Sequence, residues 1–504
     1  MRMSHLVAEL RAAGVDVTSR RPADVDPLVS DVVQSHQRVT PGALFVARRG
    51  ASFDGHDMIP AALAAGAVAV LGERADADTG GVPYLFAPDT RSALPHVAAA
   101  FHRHPSRSVT VAGVTGTDGK TTTSFLLHWL LTDRFDAGLI STAGVRLGQT
   151  VLPTEGHFTT PEATEVQALL ARFRDAGLSH AVLESSSHGF SLHRLDAVDY
   201  RLGVFTNLSS EHLDHHKTWE NYREAKATLM RRAARSVVNL DDGEADYFVA
   251  AARSALAESE GREPVIGYGR DPAAAVRIER VTVTGSRLEL TLDIAGRARA
   301  TSLPMLGTYN AHNAAAAVAA AVEFGIGPDA AMDRLASFPG VPGRMQVVQH
   351  EPFLVVVDFA HTAPALGKAL REVAARGRRL IVVIGAAGER DPGKRAPLGA
   401  VSGSLADLAV FTEEDSRSEP LDDILAVMAA GAQASGGVEG RDYLLVPDRR
   451  QAIRVAIEHA EPGDVVLLAG KGHEQTLERS SETLPWDEMA EAERALHELT
   501  RRPR

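Results

Sequence analysis

The stretch Thr110–Leu131, TVAGVTGTDGKTTTSFLLHWLL, constrains this chain more than any other. It opens as a buried strand, with Val111 and Val114 among small residues, and turns through Gly113, Gly116 and Gly119. It then runs on as an apolar segment of helical period. Glycines let the backbone turn tightly and approach a ligand, because no Cβ intervenes. The N–H groups of such a turn, and those of the first helical turn, point at one spot that suits phosphate. Lys120 adds a charge for the β- and γ-phosphates, and the Thr121 hydroxyl is placed to bind Mg²⁺. The strict pattern G-x-x-x-x-G-K-[ST] is not met, since Val114 stands where its first glycine belongs. A strand–helix turn that binds nothing is the alternative. Lys-Thr directly after Gly119, with a helix directly after that, favours a nucleotide site.

A chain of 504 residues is too long for one core and implies about three domains. The net charge of −12 argues against nucleic acid as a partner, because phosphate backbones need a basic surface. No apolar run reaches the length of a membrane span, and the first residues read as an amphipathic helix, not a signal peptide. With no cysteine, disulfides and thiolate ligands are excluded. A cytoplasmic protein is expected.

Residues 1–104 read as a small α/β domain, with strands at 43–47 and 67–71, a helical turn at 59–65 and a polar loop at 50–55. The central part, 105–341, carries the chemistry. After the P-loop helix a loop is expected over 148–160, with Thr160 capping a helix that Pro161 begins. A strand at 181–183 delivers Glu184 to its C-terminal end, where open α/β sheets bind ligands. A second strand, 202–206, ends in Asn207, Glu211, His212, Asp214, His215 and His216, and a helix over 219–231 carries Lys226. Glu184 and His212 are the metal candidates of this stretch. His215 and His216 are expected in a solvated loop. Zinc is not favoured, because no H-E-x-x-H is present and a nucleotide site prefers Mg²⁺ on oxygen.

A hairpin is expected over 276–303 around Gly285-Ser286, then an alanine-rich helix opened by Asn310 to Asn313. The last part, 342–504, alternates apolar strands (353–359, 380–385, 408–412, 465–469) with helices near 363–376 and 421–434. That is a parallel, Rossmann-like sheet covered on both faces. Its strands end in Asp358 and His361, Glu389 and Arg390, Glu414 to Arg417, and Lys471 to Glu474.

These residues carry a resemblance that runs nearly end to end. GVTGTDGKTT (113–122), Thr159-Thr160-Pro161, ESSSHGFSLHR (184–194), TNLSSEHLDHH (206–216) and NYREAK (221–226) resemble the Mur ligases of peptidoglycan synthesis. So do Gly343-Arg344-Met345, VDFAHT (357–362), ERDPGKR (389–395) and GKGHE (470–474). The likeness is closest to their UDP-N-acetylmuramoyl-tripeptide synthetase branch. It implies a UDP-binding first domain, a central P-loop ATPase domain and a C-terminal Rossmann-like domain. It also implies that ATP and Mg²⁺ are used to join a free diamino acid to a UDP-linked muramoyl dipeptide; a monomer is expected.

By resemblance, Gly116, Thr117, Asp118, Gly119, Lys120, Thr121 and Thr122 hold the ATP phosphates. Asn313, Arg344 and Asp358, which flank the boundary near 341, contact adenine, the γ-phosphate side and ribose. Thr121 and Glu184 hold a first Mg²⁺, and His212 a second with Lys226, which the family carries as a carbamate. Thr159, Thr160, Ser186 and Arg194 bind the muramoyl dipeptide. Arg390, Glu414, Asp415, Ser416, Arg417, Gly470 and Glu474 hold the incoming amino acid.

Four places depart from the family pattern: Asp118 and Asp415 replace Asn, Phe158 replaces Asn, and Ser35-His36-Gln37 replaces Asp-Ser-Arg. The acids at 413–415 lead us to expect L-ornithine or L-lysine over meso-diaminopimelate, with the Arg417 fork taken up by Asp415 or Glu414. Two other readings stand beside the synthetase. One is another ligase of the superfamily, such as a folylpolyglutamate synthetase. The other is a non-catalytic homologue that binds UDP-muramoyl peptide.

Overall fold

The strand Thr110–Thr115 sits inside a parallel sheet, hydrogen-bonded to Tyr200–Phe205 on one side and His180–Glu184 on the other. The computed structural model describes residues 1–20, 25–50, 53–152, 159–254 and 263–501. From this strand the chain moves outward one way to Ala137–Ser141, returns to fill the gap with His180–Glu184, and then crosses to Tyr200–Phe205. The direction of winding therefore reverses beside Thr110–Thr115, and ligands of open α/β sheets bind at such a point. The register places Glu184 opposite Val114 and Phe205 opposite Thr115, so the C-terminal ends of three strands meet at Gly116. Ala233–Asn239 and Val265–Gly269 continue the parallel sheet, and Gly144–Leu147 and Thr150–Leu152 add an antiparallel edge.

Contacts divide the chain into two compact units, Met1–Glu279 with Leu292–Arg299 and His312–Arg334, and Arg280–Thr291 with Ala300–Ala311 and Leu335–Arg504. The first unit holds the central sheet and a five-stranded sheet of residues near the N-terminus, ordered Thr18–Arg20, Tyr84–Phe86, Ala69–Gly72, Ala43–Ala47, Asp31–Val33. Leu6, Leu10, Leu44, Val46, Leu71, Leu94 and Val97 pack one face of that smaller sheet. The helix Met3–Ala12 presents Met3, Leu6, Val7 and Leu10 to this core, the 3–4 spacing of an amphipathic helix.

In the second unit six strands run in the order Gln346–Gln349, Leu354–Asp358, Val465–Ala469, Leu380–Ile384, Leu408–Phe411, Tyr443–Leu445. The first pair is antiparallel and the rest are parallel. Both faces are covered: Leu366, Leu370, Leu398, Ile424 and Met428 pack one side, and Ile453, Ile457, Trp486 and Ala492 the other. Continuous apolar strands follow from burial on two faces.

Several expectations need correction. Part of the loop expected over 148–160 is a strand, Thr150–Leu152, paired with Gly144–Leu147; His157 and Phe158 lie outside the described residues, as do 51–52 of the loop at 50–55. The helix expected from Pro161 begins two residues later, at Ala163, and Glu162 takes the cap position. Thr160 does not cap it, because its hydroxyl is engaged with Glu184 and Ser186. The hairpin over 276–303 has a third strand, Arg297–Leu303, so it is a meander. The helices Arg395–Leu405, Arg449–His459 and Glu488–Arg501 were not anticipated, since Gly, Pro and clustered Arg and Glu blur their apolar period. Among the described residues no helix is long and apolar enough to cross a membrane.

Candidate active site

Two glycines shape the turn after Thr115. Gly116 has φ +144° and a Cβ there would lie 1.9 Å from Thr206 Oγ1; Gly119 has φ +83° and its Cβ would lie 2.3 Å from Asn313 Oδ1. Both positions demand the absence of a side chain. We expect Gly116→Ala to cost about 1–3 kcal/mol in a denaturant titration, from strain at positive φ and the displaced Thr206.

The turn is held from outside by its neighbours. Thr117 N donates to Asn207 O at 2.8 Å, and Asp118 N donates to Asn207 Oδ1 at 2.9 Å. Asp118 O accepts from Thr206 Oγ1 and Asn207 Nδ2 at 2.7 and 2.9 Å. Position 118 is thus fixed through its backbone while its side chain is exposed, which accounts for Asp being tolerated where Asn is usual. Lys120 Nζ donates to Gly116 O and Thr117 O, folding over the turn.

Behind Lys120 lies a buried set of oxygens. The Thr121 hydroxyl donates to Glu184 at 2.9 and 3.1 Å, and Ser141 Oγ and Thr142 N donate to Glu184 Oε2 at 2.7 and 3.0 Å. A carboxylate this enclosed needs such donors. Lys226 is equally buried: its Nζ donates to Gly116 O at 2.5 Å and stands 4.5 Å from the Tyr222 ring centre. Burial, and then the charge of Lys120, hold its amine well below the ordinary lysine range. Tyr222 is fixed in turn by Thr117 Oγ1, 2.9 Å from its hydroxyl.

His212 stands on the left-handed backbone, φ +55°, just before the short helix Leu213–His216. Burial, then Lys226 and Lys120, push its imidazole down to about 4. His215 and His216 depart from the expected solvated loop. His216 is buried and His215 half-buried, because Leu213–His216 packs back toward His188.

Thr160, Ser186 and Arg194 come together on the other side of Glu184. Thr160 Oγ1 donates to Glu184 O at 2.9 Å, lies 2.9 Å from Ser186 Oγ and accepts from Ser186 N at 3.1 Å. Arg194 donates to Thr160 O at 2.9 Å and to Glu162 Oε1 at 2.5 Å. Thr159 precedes them, half-buried. Asn313 also belongs to this unit, with Thr123 Oγ1 donating to its Oδ1 at 3.4 Å. Thr122 is buried in the first turn of the P-loop helix. Ser35-His36-Gln37 forms a short turn after the strand Asp31–Val33.

In the second unit Asp358 accepts from Met345 N at 2.8 Å and Ala360 N at 2.9 Å, and burial raises its carboxyl above the usual range. Arg344 stacks 4.7 Å over the Phe359 ring, and its buried Nε has no hydrogen-bond partner among the described residues. Farther along the sheet edge, Asp415 Oδ1 accepts from Lys471 Nζ at 2.8 Å and Glu478 N at 3.0 Å, while Lys471 also meets Glu474 at 2.7 Å. Arg417 donates to Glu478 Oε2 at 2.8 Å and Gly388 O at 2.7 Å, and lies 3.6 Å from Asp415. Its fork is occupied as expected, but by Glu478 first; Glu414 takes no part. Glu414 is buried beside Gly470, and burial raises its carboxyl. Ser416 is buried and Arg390 exposed.

Sequence reasoning missed Ser141, Tyr222 and Glu478 as parts of these clusters. Ser141 ends a strand beside Glu184, a position that the strand-end rule flags. Nothing local marks Glu478, which reaches Arg417 only through tertiary folding.

Residues 37–102 match the Mur ligase family catalytic domain, residues 114–321 the Mur ligase middle domain, and residues 343–472 the Mur ligase glutamate ligase domain. A UDP-N-acetylmuramyl-tripeptide synthetase of Deinococcus radiodurans is 47% identical, over 99% of this chain and all of that one. The chain belongs to the Mur ligase family. It has that family's three-part architecture of N-terminal, middle and C-terminal domains with mixed α/β sheets. Other relatives in the family carry another name. A UDP-N-acetylmuramoyl-L-alanyl-D-glutamate--2,6-diaminopimelate ligase of Streptomyces coelicolor is 38% identical over 91% of each chain. A solved diaminopimelate ligase of the family superposes with a TM-score of 0.65 at 29% identity, covering 94% of this chain and 96% of its own.

Proposed function

We propose that this Mur ligase uses ATP and Mg²⁺ to add a basic diamino acid to UDP-N-acetylmuramoyl-L-Ala-D-Glu in peptidoglycan synthesis. The observation that carries the reading is the convergence of Lys120, Thr121, Glu184 and Lys226 on the Gly116 turn, all within one unit. Glycine-bounded space at the start of a helix fits phosphate. The Thr121 hydroxyl and Glu184 carboxylate are the hard oxygen donors that Mg²⁺ takes, and they would hold it. Bound there, Mg²⁺ would neutralise charge on the phosphoryl oxygens. His212 would serve a second ion with Lys226 as its carbamate.

In the reaction a carboxylate oxygen of the dipeptide attacks the γ-phosphorus and ADP leaves. The amine of the amino acid then attacks the acyl carbon, and phosphate leaves. Lys120 holds the transferred phosphoryl group, and Gly116, Thr117, Asp118, Gly119 and Thr122 line its cradle. Thr159, Thr160, Ser186 and Arg194 orient the acceptor carboxylate, and the link from Thr160 to the Glu184 carbonyl sets acceptor and phosphate side against each other. Most of this is positioning and charge neutralisation. Asn313, Arg344 and Asp358 contact the nucleoside and γ-phosphate side, with domains bounded at 104 and 341. Phosphate release with ATP, Mg²⁺, the dipeptide substrate and a panel of amino acids tests the activity, and no release with any of them would refute it.

The amino acid would be held by Arg390, Glu414, Asp415, Ser416, Arg417, Gly470 and Glu474. An unengaged guanidinium fork is what a distal carboxylate needs, and Arg417 is already paired with Glu478 and Gly388. Glu414, buried with no hydrogen bond or ion pair of its carboxylate among the described residues, favours a bare ammonium. We therefore expect kcat/KM for L-ornithine or L-lysine to exceed that for meso-diaminopimelate by about tenfold or more, a difference of about 1.4 kcal/mol. A clear preference for meso-diaminopimelate would show that Arg417 is released to the substrate.

A further inference from the structure

The ligase reading leaves one group of titratable side chains without a task. One nitrogen from each of His188, His215 and His216 lies within 4.8 Å of the other two. The His188 ring packs against both, with centroids 4.2 Å from His215 and 5.4 Å from His216. The His188 ring makes no hydrogen bond among the described residues, although it is half-buried; only its backbone carbonyl is engaged, accepting from Ser191 Oγ and Leu192 N. His215 Nε2 meets Ser191 Oγ at 2.9 Å and His216 Nε2 meets Ser187 Oγ at 3.0 Å. Neither ring has a hydrogen bond on Nδ1 among the described residues. Three imidazoles packed this closely, two tied on one nitrogen and open on the other, are poor hydrogen-bonding partners for one another but good partners for a cation.

We propose that His188, His215 and His216 form a site for a divalent transition-metal ion of the zinc class, separate from the Mg²⁺ position at Thr121 and Glu184. The donor chemistry separates the two: imidazole nitrogen suits zinc-class ions, whereas Mg²⁺ takes carboxylate, hydroxyl and phosphate oxygen. Zn–N bonds of about 2.0–2.1 Å put ligand nitrogens roughly 3.4 Å apart in a tetrahedron, so modest ring rotations close the observed spacing. The Ser191 and Ser187 hydroxyls are the outer partners that fix a ligating ring's orientation.

Access exists as well. A cavity of about 350 Å³, lined by Ser191, His215, His216, Asn221 and Glu224 among others, opens beside the cluster and leaves room for water at a fourth coordination position. An ion there would tie the helix Ser187–Ser191 to Leu213–His216 and so brace the backbone that presents His212.

The test uses the full chain in saturating Mg²⁺, by equilibrium dialysis against micromolar Zn²⁺ and by the visible d–d bands of Co²⁺. One ion per chain is expected, with the spectrum of four-coordinate Co²⁺. His215→Gln and His188→Gln should each weaken binding by more than about tenfold, since losing even an outer partner costs that much. The exposed His5→Gln should bind as the parent does. Zn²⁺ should raise the melting temperature of the parent and not of His215→Gln, a readout independent of catalysis. Absence of a bound ion, displacement by Mg²⁺, or unchanged affinity in both cluster variants would overturn the proposal.

Discussion

Lys120→Ala is expected to lower phosphate release on the order of 10³-fold or more while shifting the melting temperature by only a few degrees. The side chain is half-buried over a turn that other residues already hold. Removing it takes away two hydrogen bonds, to Gly116 O and Thr117 O, each worth about 1 kcal/mol net. The turn keeps its ties through Asn207 and Thr206. On the proposed reading catalysis has no such redundancy, because Lys120 would be the P-loop's own cation on the transferred phosphoryl group. Phosphate-release rates and a thermal melt on the same preparation check both halves. Turnover near that of the parent would sink the P-loop assignment. A collapsed melting temperature would make Lys120 a structural clamp.

What the sequence disclosed, it disclosed through local chemistry. Gly116 and Gly119, Lys120 and Thr121 are adjacent in the chain, so their geometry follows from a strand, a turn and a helix. Glu184 was legible for a different reason. It ends a short buried apolar strand, and the register of a parallel sheet brings strand ends to one edge. The C-terminal strands were equally plain, because burial on both faces leaves unbroken apolar runs.

The sequence was silent where the answer depends on distant packing. Thr160 looks like a helix cap beside Pro161, yet its hydroxyl is drawn to the Glu184 carbonyl and Ser186, and Glu162 becomes the cap. His215 and His216 look like polar loop residues, and only the fold of Leu213–His216 onto His188 buries His216 and half-buries His215. Arg417 sits among three acids, but its strongest partner, Glu478, lies 61 residues along the chain. A local charge pattern foretold that the guanidinium would be occupied; it could not say by what.

Lys226→Ala is expected to lower turnover on the order of 10²-fold or more, and small carboxylates such as acetate or propionate should restore about tenfold of it. An ammonium here would repel a metal held by Glu184 and His212, and burial already disfavours the charged form. The neutral amine is the nucleophile that adds to CO₂: the nitrogen bonds to carbon, a proton leaves the nitrogen, and a carboxylate remains. The product carries the opposite charge and offers oxygen to Mg²⁺. Alanine opens space next to Gly116 O and Tyr222, where a small acid can place its oxygens. Rescue separates this role from packing, because a side chain needed only to fill volume would respond to neutral molecules of the same size. A ¹³C carbamate resonance in bicarbonate-labelled parent, missing from Lys226→Ala, is the direct observation. Full activity of the unaided variant, or rescue by propionamide equal to that by propionate, would dispose of the carbamate.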